Sequence, residues 1–186
     1  ATGLTSLLNV DGTHTQDFLL ADVLGVSYSG QQSNRVNYLC MKEDTVPPQI
    51  SKMISSNRPS PLVRATTAKV LAYLVDPLFD PDDRQHWASI HSNPPGQITE
   101  YAALTENQYG KGRCVYLAPA TFSIPHDAQK SFGKWLLEQY ISPGIVISTN
   151  APPCVEITLL KSIIKNVHLV CFVNYQRELP NIIVRD

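Results

Sequence analysis

The clearest pattern of hydrophobic and polar positions lies between residues 97 and 140. Two short apolar runs, residues 101–106 and 113–118, flank the polar segment Asn107-Gln108-Tyr109-Gly110-Lys111-Gly112. Its two glycines can adopt positive φ, which tight connections between antiparallel strands require. The pattern therefore predicts a β-hairpin with a turn of a few residues.

A helical pattern follows this predicted hairpin. Apolar residues recur every three to four positions, which places them on one face of a helix: Ala128, Phe132, Trp135, Leu136 and Tyr140. Pro125 lies near the predicted first turn, where its missing N–H costs nothing. A strand pair followed by a covering helix is typical of an α/β layer.

The part of the chain before this hairpin has shorter and more polar segments. We predict a strand at 4–8, a helix from Thr13 or Thr15 to Leu24 ending at Gly25, an edge strand at 36–41, one helical turn at 50–54 and a strand at 68–75. A doubly wound sheet needs repeated β-α-β units, whereas only two clear helices are predicted here. The first 148 residues therefore indicate the second half of an α/β domain.

The pattern changes in the last part of the chain. Residues 155–161, 167–175 and 181–185 are rich in β-branched residues, and no helical pattern separates them. Successive strands of this kind predict an antiparallel β unit. We place the boundary near 148–153, so that residues 149–186 form the start of a second domain.

Composition and charge narrow the class of protein. The chain has 186 residues, 15 Lys and Arg against 16 Asp and Glu, and a formal net charge of −1, so we expect no nucleic-acid partner. No run approaches the roughly 20 apolar residues of a membrane span. Only 17% of the residues are charged, which hints at surface buried against other domains or subunits. The chain begins at Ala1 without a signal-peptide pattern, and we expect it to be part of a longer protein.

The four cysteines show no metal-binding or redox spacing. Cys40, Cys114, Cys154 and Cys171 include no C-x-x-C pair, and three of them lie in apolar strand-like runs. We expect buried thiols, with a Cys154–Cys171 disulfide as the alternative and a metal or nucleophilic role as the weakest interpretation. Reduced thiols favour the cytoplasm slightly over a secreted or periplasmic location, although bacteria often export proteins that degrade glycans.

Four motifs together resemble a known family. They are residues 17–26 (DFLLADVLGV), 90–96 (IHSNPPG), 109–113 (YGKGR) and 173–175 (VNY). In this order they resemble the middle, trimerisation-type domain of family 42 β-galactosidases and of related hypothetical glycoside hydrolases, some of them labelled α-L-fucosidases. The resemblance implies a class I glutamine-amidotransferase-like, flavodoxin-like fold, here its C-terminal half, followed by the start of a β-sandwich.

The resemblance also implies what this chain lacks. In the family, the domain follows a catalytic TIM barrel, and no barrel is present here, so no catalytic carboxylate can be transferred to this sequence. None of the four cysteines has the Gly-x-Cys-x-Gly surroundings of an amidotransferase nucleophile. We therefore expect a non-catalytic structural and oligomerisation portion, with a homo-oligomer, a trimer by resemblance, as the expected assembly. No cofactor is implied, and the parent protein is expected to be the glycoside hydrolase.

The candidate contact residues are His86, Trp87, His91 and Asn93. An aromatic ring beside histidine and asparagine can stack on a sugar and hydrogen-bond to it, and in the family loops of this domain can approach a neighbouring subunit's active site. Two interpretations stay open: a sugar or subunit contact, or histidines that hydrogen-bond loop backbone and hold the Pro94-Pro95 turn. An independent carbohydrate-binding module is the alternative function.

Other constellations are weaker. No Gly-x-Ser-x-Gly occurs, and the remaining histidines are scattered. The acidic segment with Asp80, Asp82 and Asp83 lacks the glycine and terminal glutamate of a calcium loop. Gly110-Lys111-Gly112 does not match a phosphate-binding loop and is interpreted as the hairpin turn.

Overall fold

The computed structural model describes residues 1–48, 50–79, 83, 85–86, 93–123, 126–141, 147–152 and 154–175. Residue contacts divide the chain into two compact units, Ala1–Leu137 and Glu138–Asp186. Within the described residues, the helices are too short or too polar to cross a membrane.

The first unit is mainly antiparallel sheet. Its elements, in chain order, are α1 (Ala21–Leu24), β1 (Val26–Gln31), β2 (Asn37–Met41), β3 (Met53–Ser56), β4 (Pro61–Ala65), β5 (Lys69–Pro77), β6 (Pro95–Tyr109), β7 (Gly112–Leu117) and the start of α2 (Asp127–Ile141). Two single turns of 3₁₀ helix lie at Glu43–Thr45 and Thr121–Ser123.

Five strands form one sheet in the order β3-β2-β5-β6-β7, and β1 pairs separately with β4. Each of these strand pairs is antiparallel. The β5–β6 pairing shifts register at four places, and such bulges bend and twist a sheet. The structure therefore confirms a mixed chain of sheet and helix. It does not confirm the flavodoxin-like fold, because that fold needs parallel strands and the parallel contact described here is an isolated bridge between Thr2 and Leu117.

The predicted hairpin is confirmed as β6 and β7. Tyr109 pairs with Gly112, so the connection is the two-residue turn Gly110-Lys111, and Gly110 has a φ of +56°. Asn107 belongs to β6 and not to the turn, and its side chain is almost fully buried.

One layer of the core lies between the two sheets. Leu24, Val26, Val63, Ala102 and Tyr116 belong to a single buried cluster contributed by α1, β1, β4, β6 and β7. The ring of Phe18 meets the rings of Tyr28 and Tyr116 edge-on, each at 5.6 Å between centroids. The Tyr116 hydroxyl donates to the Gly3 carbonyl at 2.7 Å, which satisfies the one polar atom this ring brings into the core.

The end of α1 is a junction of several segments. Gly25 has a φ of +67°, and its N–H donates to the Ala21 carbonyl at 2.7 Å. The Gly25 carbonyl accepts from the N–H groups of residues 66, 67 and 68 at 2.9, 3.3 and 3.1 Å. Asn107 Nδ2 donates to the carbonyls of Asp22 and Val23, each at 3.0 Å, and thereby satisfies helix-end carbonyls from a distant strand.

The predicted helix near the end of the first unit is confirmed as α2. Phe132 is fully buried, and its ring lies 6.1 Å from Phe122 and 5.8 Å from Trp135. Gln129 Nε2 donates to the carbonyl and hydroxyl oxygens of Ser55 at 3.1 and 3.0 Å, which attaches the helix to β3. The buried face is narrower than predicted, because Ala128 is exposed and the other apolar positions are only half-buried.

Four element predictions are wrong in detail. Residues 4–8 form no strand, and only an isolated bridge links Leu8 to His14. The helix predicted from Thr13 is limited to the four residues of α1. The side chains of Asp11 and Asp17 hydrogen-bond to nearby backbone N–H groups, in competition with helical hydrogen bonds.

The third and fourth errors concern β3 and β2. The turn predicted as helical at 50–54 ends instead in strand β3, which pairs along β2. Because β3 occupies that side, β2 is an interior strand and not the predicted edge. Neighbouring strands decide both features, and a single segment carries no information on its neighbours.

The described part of the second unit is a hairpin of β8 (Val155–Lys161) and β9 (His168–Asn174), paired over all seven residues of each strand. These two antiparallel strands were predicted. The third predicted run, 181–185, lies outside the described residues. None of the four cysteines forms a disulfide. Cys171 lies opposite Thr158 and Cys154 precedes β8, so the alternative of a Cys154–Cys171 disulfide is wrong. Cys40 is buried as predicted, but the other three are only half-buried.

Candidate functional site

The candidate loop between β5 and β6 is closed by Asn93. Its Nδ2 donates to the Phe79 carbonyl at 2.9 Å, and its Oδ1 accepts from the Phe79 N–H at 3.3 Å. The Tyr38 hydroxyl donates to the Asn93 carbonyl, and burial raises the pKa of Tyr38. The Asn93 amide thus hydrogen-bonds to the Phe79 backbone through both its Nδ2 and its Oδ1.

His86 lies in the same loop and faces the Asp83 carboxylate. Its Nδ1 is 2.7 Å from Asp83 Oδ2, and 71% of its side chain is exposed. The pKa of the Asp83 carboxyl is lowered, first by the N–H of Gln85 and then by His86. Trp87 and His91 lie outside the described residues. The structure therefore shows His86 at Asp83 and Asn93 at Phe79, and the sugar or subunit contact by the four residues stays a prediction.

The Asp17 carboxylate lies just before α1 and accepts three hydrogen bonds. Its Oδ1 accepts from the N–H groups of Phe18 and Tyr28, and its Oδ2 accepts from the Ser27 hydroxyl, all at 2.7 Å. Burial would raise the pKa of Asp17, but these three hydrogen bonds outweigh it and lower the pKa below its usual value. The carboxylate joins the start of β1 to the segment before α1, and its oxygens are used structurally.

Within the described ranges, no group of three His, Cys, Asp or Glu side chains could hold a metal ion. Tyr116 is the most strongly perturbed tyrosine there, and burial raises its pKa. Since its hydroxyl donates to a carbonyl inside the core, it is a packing residue and not a candidate acid.

One cleft of about 440 Å³ lies beside β2 and β5. It is lined by Lys42, Lys52 and Lys69 together with acidic residues. The Lys42 ammonium lies 5.5 Å from the centre of the Tyr73 ring, and Lys52 pairs with Glu43 at 2.7 Å. Three lysines face two acidic residues, Glu43 and Asp44, so basic and acidic groups are mixed in this cleft.

A second cleft of about 590 Å³ has a different chemistry. We call it the arginine cleft; its lining residues are Gly3, Leu4, Gln31, Arg35, Asn57, Arg58, Pro59, Pro61, Ala118 and Ala120. Two guanidinium groups are present, and no carboxylate lines it. Neither Arg35 nor Arg58 was among the residues singled out from the sequence. The sequence signal available for Arg58 was its position between Asn57 and Pro59, two residues that favour loops over helices and strands.

The hairpin β8–β9 exposes apolar side chains on both faces. The cross-strand pairs Ile157–Phe172 and Leu159–Val170 lie on one face, and Leu160–Leu169 lies on the other. Among the described residues of this unit none is fully buried. An apolar surface of this kind usually marks a contact with another domain, chain or membrane surface.

The fold has clear counterparts among solved structures. A β-galactosidase from Rahnella sp. R3 matches with a TM-score of 0.59 and 19% identity, over 86% of this chain and 21% of that chain. The β-galactosidase from Bacillus circulans sp. alkalophilus matches with 0.58 and 19%, over 85% and 20%. The α-L-fucosidase isoenzyme 2 from Paenibacillus thiaminolyticus matches with 0.61 and 21%, over 86% and 23%.

These likenesses are structural rather than sequence-based. No protein-family model and no curated protein matches the chain. The chain spans about one fifth of the length of these solved enzymes. The chain therefore has the fold of one portion, about a fifth, of glycoside hydrolases described as β-galactosidases and an α-L-fucosidase.

Proposed function

We propose that this chain is a non-catalytic structural and oligomerisation portion of a glycoside-hydrolase-like protein. The observation that carries the proposal is the structural likeness over about 86% of this chain to only about 21% of a β-galactosidase, with a similar proportion in the fucosidase. A portion of that size is a domain and not a whole enzyme. In the described residues, Asn93 hydrogen-bonds to the Phe79 backbone, and the Asp17 carboxylate accepts from two backbone N–H groups and the Ser27 hydroxyl.

The finer assignment, a trimerisation-type domain, rests on the resemblance of the four sequence motifs. Exposed apolar side chains support an assembly role, because a hairpin with two apolar faces needs a covering partner. The assembly we propose is a homo-oligomer, with a trimer as the specific expectation. A flavodoxin-like arrangement has no support from the antiparallel order of the described strands.

Light scattering on a sizing column tests the assembly role. We expect a mass of about three chains, and replacing Phe172 by Ser should shift the mass towards one chain, since 66% of that ring is exposed on the hairpin. Tyr109→Ser is a matched control, because that ring is 52% exposed but lies outside the β8–β9 hairpin. A stable monomer at all concentrations, with both variants alike, contradicts the oligomerisation proposal.

Turnover separates a non-catalytic portion from an enzyme. We expect the purified chain to release no nitrophenol from nitrophenyl β-galactoside or α-L-fucoside. Release that persists after repurification, and that scales with the chain, overturns the non-catalytic assignment. Calorimetric titration with galactose and fucose, in the chain and in Trp87→Ala, tests the carbohydrate-binding alternative, for which we expect no heat of binding.

A further inference from the structure

Two arginines and no acidic residue line the arginine cleft. Arg35 lies in the loop between β1 and β2, and Arg58 lies between β3 and β4; both side chains are exposed. Among the described residues neither guanidinium forms an ion pair, whereas Arg64 and Arg113 each face a glutamate. Two such groups beside one cleft attract an anion, since guanidinium donates planar, charged hydrogen bonds.

The segment that carries Arg58 is held in place before any ligand arrives. The Arg58 carbonyl accepts from Asn37 Nδ2 at 2.7 Å, and Asn37 is fully buried. The Ser60 carbonyl accepts from the Gln32 N–H at 2.9 Å. Pro59 and Pro61 flank Ser60 and fix its neighbours' φ near −65°. A receptor held in this way loses less entropy on binding.

The Asn57 side chain adds a further hydrogen-bond donor, which also favours a ligand that accepts hydrogen bonds. Its Oδ1 already accepts from the Ser123 hydroxyl at 2.6 Å. Its Nδ2 has no acceptor among the described residues, so the part of the amide that remains for a ligand is the N–H₂ group. Donors from residues 35, 57 and 58 therefore face a ligand that accepts hydrogen bonds.

Size and wall chemistry limit the ligand further. The cleft volume of about 590 Å³ suits a ring-sized molecule and exceeds what an inorganic anion fills. Leu4, Pro59 and Ala118 supply apolar wall beside the donors. A carboxylate on a compact ring with an apolar side fits both features.

We propose that the arginine cleft binds the carboxylate of a sugar acid, a hexuronate, through Arg35, Arg58 and Asn57. The choice of a sugar rests on the proposed function, whereas the choice of a carboxylate rests on the donors of the cleft alone. The cleft belongs entirely to the first unit and is separate from the candidate loop that contains His86 and Asn93.

Isothermal titration of the full chain with sodium galacturonate tests the proposal. We expect binding in 50 mM NaCl, at least about tenfold weaker binding in Arg35→Gln and in Arg58→Gln, and weakening by 300 mM NaCl. Lys111→Gln is the matched control, because it removes the same charge from the exposed hairpin turn, and its affinity should stay within about twofold. Thermal melts of all variants should coincide, since both arginines are exposed.

Neutral galactose and the non-sugar glutarate complete the design. Galactose should bind at least about tenfold more weakly than galacturonate, and glutarate should also bind more weakly. The proposal is overturned if galacturonate gives no heat, if the arginine variants bind as the chain does, or if galactose or glutarate binds equally well. The mass of the chain, measured separately, decides the assembly role, so the two proposals fail independently.

Discussion

The five-stranded sheet and the β8–β9 hairpin are built from the same kinds of residue but have opposite burial. In the sheet, Leu74 and Leu104 are fully buried. In the hairpin, Leu169 and Phe172 are more than half exposed. Both sheets are antiparallel and rich in apolar side chains, so the pattern of strand-forming residues alone does not distinguish them. The difference is a covering layer, which the first unit supplies from its own elements.

The source of that layer explains the contrast. α1, β1 and β4 join strands β6 and β7 in one buried cluster, and α2 attaches to β3 through Gln129. The described hairpin has no such layer, and a two-stranded sheet alone is marginally stable in water. Coverage by a partner would make the two regions alike, and this is what the following measurements test.

Amide hydrogen exchange should show the largest difference between the two regions. We expect the central amides of β5 and β6 to exchange at least about a thousandfold more slowly than those of β8 and β9, because only the former open with global unfolding. Measurement by mass spectrometry at low and high protein concentration sharpens the comparison. Protection of the hairpin amides that rises with protein concentration identifies a second copy as the covering partner. If the amides of the sheet and of the hairpin are equally protected at every concentration, the proposed difference between the two regions is wrong.

Removal of one buried and one exposed phenylalanine should have the next largest effect. Phe132 is fully buried, so Phe132→Ala should lower the free energy of unfolding by about 3–5 kcal/mol. In a solution dilute enough for the chain to be monomeric, Phe172→Ala should change it by less than about 1 kcal/mol, since that ring is then mostly in water. Urea unfolding followed by circular dichroism measures both. Similar losses for the two variants would mean that the hairpin is packed in solution.

Two glycines with positive φ test how tightly the first unit is packed. A Cβ on Gly25 would lie 2.4 Å from Asn107 Cγ and 2.8 Å from the Ala68 nitrogen, whereas one on Gly110 meets nothing within 4 Å. We expect Gly25→Ala to cost about 2–4 kcal/mol and Gly110→Ala about 1 kcal/mol, the backbone strain alone. Equal costs in thermal or urea unfolding would show that the junction at Gly25 relaxes.

Acid should produce the smallest effect, through Asp17. Its pKa is lowered in the folded chain, so its contribution to stability is present above the unfolded pKa of about 3.9 and is lost as pH falls through the folded value. Asp17→Asn should remove this part of the pH dependence in melts between pH 6 and 3. The pKa of Asp11 is also lowered, mainly by the Thr13 hydroxyl, but that carboxylate is fully exposed. Asp11→Asn should therefore leave the profile almost unchanged.

Elements with strong local periodicity could be predicted from the sequence. The helix around Phe132, the hairpin turned at Gly110, the strand β5 and the pair β8–β9 are all specified by residues close together in the chain. Strand β3 was missed, because four residues from Met53 become a strand only by pairing with β2. In the segment predicted as a helix from Thr13, the Phe18 N–H donates to the Asp17 carboxylate, whereas in a helix it would donate to a carbonyl four residues earlier.

The candidate site was less predictable than the fold. Histidine and asparagine near Pro94 suggest a ligand contact in the sequence, whereas the hydrogen bonds between Asn93 and the Phe79 backbone become visible only in the structure. Arg35 and Arg58 line one cleft although 23 positions separate them in the sequence, because β2 and β3 lie side by side. Sequence motifs identify the kind of loop, but charges brought together by strand pairing become visible only in three dimensions.

The hydrogen bonds of the Asn107 side chain affect the order in which parts of the chain can fold during synthesis. α1 has four residues, too few to persist as a helix alone. The carbonyls at its end accept from an amide that follows 84 and 85 positions later in the chain. On a ribosome, the hydrogen bonds at the end of α1 therefore cannot form until Asn107 has emerged. The beginning of the chain is expected to be among the last parts of the first unit to become native.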